Sequence, residues 1–184
     1  MRVTGRKTVF EGRYLRIVEK SLVTKNGNKR TWETLERTNV HGSGAVVIIG
    51  VTKDGCLLFE KNWRSALESF VIQFPAGLTD LSGESEEDAA KRELLEETGY
   101  AATTVVPLIL SPLSAALTPT RAMHFFAPDV EYVGKPDGED AEEIEVVKVP
   151  VAEADRFMLN LPAGVELDLR VPGILWFMRQ KGLI

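Results

Sequence analysis

The segment from Glu84 to Tyr100 constrains the fold more than any other, because it specifies a short helix with defined ends. Ser85, with Asp88 three residues later, resembles a capping box, and Gly99 stands where helices end in the left-handed conformation. Neither Gly nor Pro lies between these ends. The sequence therefore predicts a helix over residues 85–98.

Three carboxylates, Glu93, Glu96 and Glu97, share one face of this helix, because side chains three and four positions apart lie about 5–6 Å from each other. A solvated acidic surface is the simplest interpretation. However, Glu96 and Glu97 fall in the last turn, where the helix dipole disfavours negative charge. Two unit charges about 6 Å apart repel by roughly 3 kcal/mol at an effective dielectric near 20, and bound Mg²⁺ or Mn²⁺ would reverse that cost. The arrangement favours a divalent metal site.

This segment resembles the signature of the Nudix hydrolases, Gly-x5-Glu-x7-Arg-Glu-U-x-Glu-Glu-x-Gly-U, in which U is a bulky apolar residue. Glu84, seven further residues and then Arg92-Glu-Leu-Leu-Glu-Glu-Thr-Gly-Tyr100 match it position by position. One departure is present, because six residues rather than five separate Gly77 from Glu84. The extra residue adjoins the expected metal site and puts the position of the Ala76 carbonyl in question.

Three other segments resemble the branch of this family that hydrolyses ADP-ribose and nucleoside diphosphate sugars. They are Leu58–Arg64, Gln73–Gly77 and Leu117–Ala127, although Gln73 stands where this branch often has Glu. The resemblance implies an α/β (α+β) fold, a Nudix α/β/α sandwich with a mixed sheet. It also implies Mg²⁺-dependent hydrolysis of a pyrophosphate bond, with ADP-ribose giving AMP and ribose 5-phosphate.

The resemblance also implies roles for individual residues. The expected metal ligands are the carboxylates of Glu93, Glu96 and Glu97 and the carbonyl of Ala76, for Mg²⁺ with Mn²⁺ as a substitute. Arg92 is expected to support catalysis by holding one of the helix glutamates in orientation, as charge-assisted pairs do.

Further expected site residues lie outside the helix. A loop carboxylate is expected to act as base or added ligand, with Glu142 as the first choice and Glu139 as the second, and an acidic surface loop is the alternative. Arg64 is expected to bind the diphosphate or ribose, because its planar fork suits oxyanions. Trp32 is expected either to stack on the nucleobase or to serve sheet packing.

The order of predicted elements indicates a mixed sheet between helices, preceded by a small antiparallel unit. Asn26-Gly27 predicts a hairpin between strands at 14–24 and 30–37. Strands are further predicted at 44–51, 56–62, 70–74, 104–110, 122–128 and 143–149, and helices at 151–159 and 166–181. We divide the chain into an N-terminal β arm, residues 1–40, and a Nudix domain, residues 41–184.

Charge is unevenly distributed over these two parts. Ten Lys and Arg against four Glu give residues 1–40 a net charge of +6, whereas the whole chain carries −5. These charges are expected to form the polar face of a hairpin, to dock onto a partner subunit or to guide an anionic substrate. In the family branch the N-terminal strands exchange across a homodimer, which gives the arm a role in dimerisation.

Nucleic-acid binding is not expected, because basic residues do not cluster among aromatic ones. The longest apolar run, residues 44–51, is too short to cross a bilayer, and the N-terminus lacks the apolar stretch of a signal peptide. With its single cysteine, Cys56, the chain is expected in the cytoplasm.

Three other functions stay open. One is a Nudix pyrophosphatase that sanitises nucleoside triphosphates. Another is a module that senses nucleotide sugars without turnover, which the longer loop after Gly77 keeps open. A simple divalent-metal buffer is the third.

Overall fold

The computed structural model describes residues 1–135 and 143–184. Within them the strands are β1 (Arg2–Glu11), β2 (Leu15–Val23), β3 (Lys29–Arg37), β4 (Gly44–Thr52), β5 (Cys56–Arg64), β6 (Ser69–Gln73), β7 (Ala76–Leu78), β8 (Tyr100–Ala101), β9 (Val106–Pro112), β10 (Arg121–Tyr132), β11 (Ile144–Pro150) and β12 (Val165–Leu167). The α-helices are α1 (Glu86–Thr98), α2 (Ala154–Leu159), preceded by a 3₁₀ turn at Val151–Glu153, and α3 (Arg170–Gln180).

The strands form two sheets. Strands β1, β2 and β3 make an antiparallel sheet in that order. The larger sheet runs β12-β6-β5-β4-β10-β8, while β11 pairs with β5, β7 with β4 and β9 with β10. It is mixed, since β10 runs parallel to β4 and β12 parallel to β6, whereas the other pairs are antiparallel. The predicted mixed architecture with an N-terminal antiparallel unit is confirmed.

Helices cover both faces of the larger sheet. Strand β4 is buried along nearly its whole length, and its alternate side chains enter two different cores, as expected for a central strand. Val46 and Ile48 pack with Leu94 of α1 on one face. Val47 and Ile49 lie in the cluster that contains Leu175 and Met178 of α3 on the other face. The helix α1 is thereby fixed against the centre of the sheet.

The N-terminal sheet contacts the rest of the chain at the turn before β10. The backbone N–H of Leu35 donates to the carbonyl of Leu117 at 2.8 Å, and Trp32 Nε1 donates to the carbonyl of Ala116 at 2.9 Å. The predicted hairpin is present, with Val23 opposite Lys29 and Gly27 at φ 79°. The division of the chain at residue 40 stays a prediction.

The helix predicted over residues 166–181 is wrong in its first part. Residues 165–167 form β12, which pairs in parallel with β6, and α3 begins only at Arg170. Asp168 lies beside this start, and its Oδ1 accepts a hydrogen bond from the Arg170 backbone N–H at 2.9 Å. Among the described residues, no helix is long and apolar enough to cross a membrane.

Candidate active site on helix α1

Helix α1 begins and ends where its capping residues require. Ser85 is the N-cap, and its hydroxyl accepts a hydrogen bond from the Asp88 backbone N–H at 3.1 Å. Gly99 adopts φ 73°, and its N–H donates to the carbonyl of Leu95 at 2.8 Å. The helix packs on the sheet through Ala89, Ala90 and Leu94, which are fully buried.

Glu97 points inward from the last turn of α1. It is only 7% exposed, and its Oε2 accepts a hydrogen bond from the backbone N–H of Ala76 at 2.9 Å. Burial, and next the neighbouring carboxylate of Glu60, raise the pKa of Glu97 far above its usual range. Without a positive charge beside it, this carboxyl group therefore favours its protonated form.

Glu93 lies against the backbone of Gly77. A Cβ atom added to Gly77 would lie 1.9 Å from Cδ of Glu93, so only glycine allows this carboxylate to approach the chain so closely. Burial raises the pKa of Glu93, and the Arg92 guanidinium opposes that rise. The first two residues of β7, Ala76 and Gly77, thus lie against both inward-facing glutamates of α1.

Arg92 connects three glutamates. Its Nε and Nη2 atoms bind the two oxygens of Glu84 at 2.9 and 3.0 Å, and its Nη1 atom binds Glu93 Oε1 at 2.8 Å and Glu96 Oε2 at 3.0 Å. Its guanidinium is therefore positioned to restrict the side chain of Glu93, and the orienting role predicted for Arg92 stays a prediction. Glu84 accordingly anchors Arg92.

The residues predicted for substrate binding lie on strands β5 and β3. Arg64 ends β5, and its Nε donates to Gln73 Oε1 at 2.9 Å. Trp32 lies on β3 and is 52% exposed, while its indole N–H is bound to the carbonyl of Ala116. The structure therefore orients both side chains by hydrogen bonds. The base-stacking role of Trp32 stays a prediction.

Two buried polar residues of β5 were missed by the sequence prediction. Glu60 and Asn62 are fully buried, and as alternate residues of the strand they share the face on which Leu58 packs against α1. Glu60 lies opposite Gln73 of β6, whose Nε2 donates to Glu60 Oε2 at 3.4 Å. The available signal was the polar run Glu60-Lys61-Asn62 inside the strand predicted at 56–62.

The two candidate loop carboxylates, Glu139 and Glu142, lie outside the described residues. The chain resumes at Glu143, whose carbonyl accepts a hydrogen bond from the Trp63 backbone N–H at 3.1 Å. The role predicted for a loop base therefore stays a prediction.

The arrangement of oxygen atoms suits a divalent cation. Mg²⁺ and Mn²⁺ prefer carboxylate and carbonyl oxygens, and Glu93, Glu97 and the Ala76 backbone meet beside Gly77. As the side chains stand, no group of three His, Cys, Asp or Glu in residues 1–135 and 143–184 is arranged to hold a metal ion. The physical reason is that Glu93 is turned towards Arg92 and Glu97 towards the Ala76 N–H. A bound cation would compete with the Arg92 guanidinium and the Ala76 N–H for these carboxylates.

Known proteins resemble the chain over most of its length. Residues 41–167 match the model of the NUDIX domain. The chain is 33% identical over 159 residues to an ADP-sugar pyrophosphatase of Mus musculus, covering 80% of this chain and 72% of that protein. It is 27% identical over 151 residues to an ADP-ribose pyrophosphatase of Bacillus subtilis (strain 168), covering 82% of this chain and 78% of that protein.

A solved structure shares the fold. The crystal structure of an ADP compounds hydrolase matches with a TM-score of 0.79 at 22% identity, covering 100% of this chain and 96% of that chain. The shared fold therefore includes the N-terminal strands, which lie outside the matched family domain.

Proposed function

This chain belongs to the Nudix family of hydrolases, and we propose that it uses Mg²⁺ to split the pyrophosphate bond of nucleoside diphosphate sugars. ADP-ribose is the proposed main substrate, with AMP and ribose 5-phosphate as products. The names of the relatives from Mus musculus and Bacillus subtilis support this substrate class. The observation that carries the proposal is that Glu93 and Glu97 both lie against the start of β7, at Gly77 and Ala76.

The proposed metal ligands are Glu93 and Glu97, assisted by Glu96 and by the Ala76 carbonyl. When bound, the cation neutralises phosphoryl oxygens and helps to deprotonate the attacking water. Arg92 keeps Glu93 in place through its 2.8 Å contact. Strand β7 pairs with β4 and places Ala76 opposite Val47. This pairing fixes the backbone of Ala76.

The remaining proposed roles concern substrate and base. Arg64, oriented by Gln73, binds the oxyanions of the diphosphate or the ribose. The exposed ring of Trp32 stacks on the nucleobase while its N–H stays bound to Ala116. Glu142, or Glu139 in its place, takes the proton from the attacking water.

We further propose that the protein is a cytoplasmic homodimer held by the N-terminal arm. The arm carries exposed apolar side chains, among them Phe10 and Tyr14, which a second subunit would cover. Its excess of positive charge also complements the acidic remainder of the chain. Light scattering should give twice the mass of the 20.4 kDa chain, and Phe10→Ser should shift the population towards monomer.

The function is tested with a substrate panel. The protein is incubated with Mg²⁺ and, separately, with ADP-ribose, other nucleotide sugars, dinucleoside polyphosphates and nucleoside triphosphates, and products are identified by mass. We expect cleavage of ADP-ribose and none when EDTA removes the metal. Exclusive cleavage of triphosphates would support a sanitising enzyme, and no cleavage at all would support a sensing module.

One variant tests the metal ligand directly. Glu97→Gln should lower turnover at least about a hundredfold with folding intact, because metal catalysis contributes several kcal/mol. Glu131→Gln is the matched control, since Glu131 is an exposed glutamate that pairs with Lys53. Turnover of the Glu97 variant close to that of the control would show that Glu97 is not a ligand.

A further inference from the structure

One end of the N-terminal sheet, where β1 begins and β2 turns into β3, carries positive charge without negative charge. Residues 1–6 and 20–31 contain no Asp or Glu, and they contribute six cationic side chains, those of Arg2, Arg6, Lys20, Lys25, Lys29 and Arg30. Lys20 pairs with Glu36 at 3.5 Å, whereas no ion pair among the described residues engages the other five. Like charges on one surface repel each other, so an anion bound there would be stabilised.

A cavity of about 630 Å³ lies on this basic surface. Gly5, Ser21 and Thr31 lie side by side across β1, β2 and β3, and all three line the cavity. Lys29 and Arg30, which precede Thr31 on β3, line it as well. An added Cβ at Gly5 would contact Ser21 Oγ at 3.6 Å, so the glycine leaves the space above Ser21 open. The cavity thus combines hydroxyl groups with positive charge.

We propose that this cavity binds a small oligophosphate anion, a chain of two or three phosphoryl groups. Guanidinium and ammonium groups bind phosphoryl oxygens, and the hydroxyls of Ser21 and Thr31 can donate hydrogen bonds to them. The line from Gly5 to Thr31 crosses two strand spacings, about 10 Å, which exceeds the size of a single phosphate group. A metal cation does not suit the cavity, because none of the described residues that line it carries a carboxylate.

This site is separate from the surfaces proposed for the dimer and the substrate. Phe10, proposed for the dimer, pairs with Ile17, which lies six residues along β2 from Val23 at the basic end, a distance of roughly 20 Å. Trp32 follows Thr31 in β3, so its side chain points to the opposite face of the strand. The inference therefore does not depend on the proposed hydrolysis.

The measurement is isothermal titration calorimetry of the metal-free protein with inorganic tripolyphosphate at low ionic strength. Wild type should bind one tripolyphosphate per chain, about 10-fold more tightly than inorganic phosphate, because the longer anion forms additional ion pairs. Its affinity should fall as salt is added, since exposed charges are screened. Absence of tripolyphosphate binding by folded wild type would overturn the proposal, as would an affinity no higher than that for inorganic phosphate.

A pair of double variants locates the bound anion. Lys29→Ser with Arg30→Ser removes two charges from the cavity, so the dissociation constant for tripolyphosphate should rise about 10-fold. Arg156→Ser with Lys181→Ser removes the same charge at α2 and just after α3, and it should bind tripolyphosphate as wild type does. Equal losses in the two double variants would refute the site, because the attraction would then reflect the net charge of the whole protein.

Ser21→Ala tests whether the anion reaches the floor of the cavity. The variant removes one hydroxyl without changing charge, and the dissociation constant should rise about 2- to 10-fold through the lost hydrogen bond. Thermal denaturation confirms that each variant is folded, which we expect because the replaced side chains are exposed. Wild-type affinity in Ser21→Ala would contradict binding inside the cavity. Tighter binding of a single-stranded oligonucleotide than of tripolyphosphate would overturn the assignment to a small ligand.

Discussion

Replacing Gly77 by alanine should expel Glu93 from its place without disturbing the backbone. The new Cβ would lie 1.9 Å from Cδ and 2.2 Å from both carboxylate oxygens of Glu93, whereas ordinary contact begins at 3.4 Å. The carboxylate must therefore retreat by about 1.5 Å or more, and it can do so only by turning its side chain. Gly77 lies in β7 outside the left-handed region, so alanine fits its backbone conformation.

The expected cost has two parts. Withdrawal of Glu93 breaks its 2.8 Å contact with Arg92, and a hydrogen bond between charged groups contributes about 1.5–3 kcal/mol to the free energy of unfolding. It also removes a proposed ligand, so the Mn²⁺ dissociation constant should rise at least about 10-fold, by comparison with the loss of a ligand's hydrogen-bond partner. Urea denaturation and a Mn²⁺ titration measure the two effects.

Gly173→Ala is the matched control. Gly173 lies in α3, nothing lies within 4 Å of an added Cβ, and alanine favours the helix, so its metal affinity should be unchanged. Wild-type Mn²⁺ affinity in folded Gly77→Ala would refute the reasoning, because it would mean that Glu93 does not need the space above Gly77.

Other substitutions have equally definite outcomes. Arg92→Lys cannot bridge Glu84 and Glu93 together, so it should lower the free energy of unfolding in urea by about 1.5–3 kcal/mol, and an unchanged midpoint would contradict the network. Burial lowers the pKa of His124 below 6.5, so the folded protein binds fewer protons than the unfolded chain and loses stability as pH falls below about 6.5. His124→Gln should weaken the pH dependence of the urea denaturation midpoint between about pH 5 and 7.5. His41→Gln, at an exposed histidine, should leave that dependence unchanged. Asn62→Val should raise the melting temperature, because both polar atoms of the buried Asn62 side chain lack a hydrogen-bond partner in the described part of the chain, and a lowered value would contradict this account.

Helix α1 was predictable because its determinants are local. The Ser85 cap and the Gly99 stop lie within one segment, and the structure begins and ends the helix there. The start of α3 was not predictable in the same way, because residues 165–167 become a strand only through pairing with β6, far away in the sequence. Helical spacing alone did not contain that information.

The backbone before the longer loop is held by strand pairing. Residues 76–78 form β7, with Ala76 opposite Val47 and Leu78 opposite Ala45 of β4. The longer loop therefore continues from the end of β7, and Gly83 completes it with φ 85°. The position of the Ala76 backbone, which the sequence left in question, is set by strand pairing.

Glu60 shows what a motif does not contain. The acids of α1 are recognisable because their spacing places them on one face, but a single glutamate in a strand carries no such pattern. Its burial depends on tertiary packing, because Leu58 on the same face of β5 packs with Leu94 of α1. The polar run Glu60-Lys61-Asn62 inside a predicted strand was nevertheless a detectable signal.

The most direct test of the proposed function is a comparison of kcat/KM for ADP-ribose and for a nucleoside triphosphate, with Mg²⁺ and with EDTA. We expect ADP-ribose to be the better substrate, to give AMP and ribose 5-phosphate in equal amounts, and to require the metal. Cleavage restricted to the triphosphate, or hydrolysis of ADP-ribose that persists in EDTA, would contradict the account.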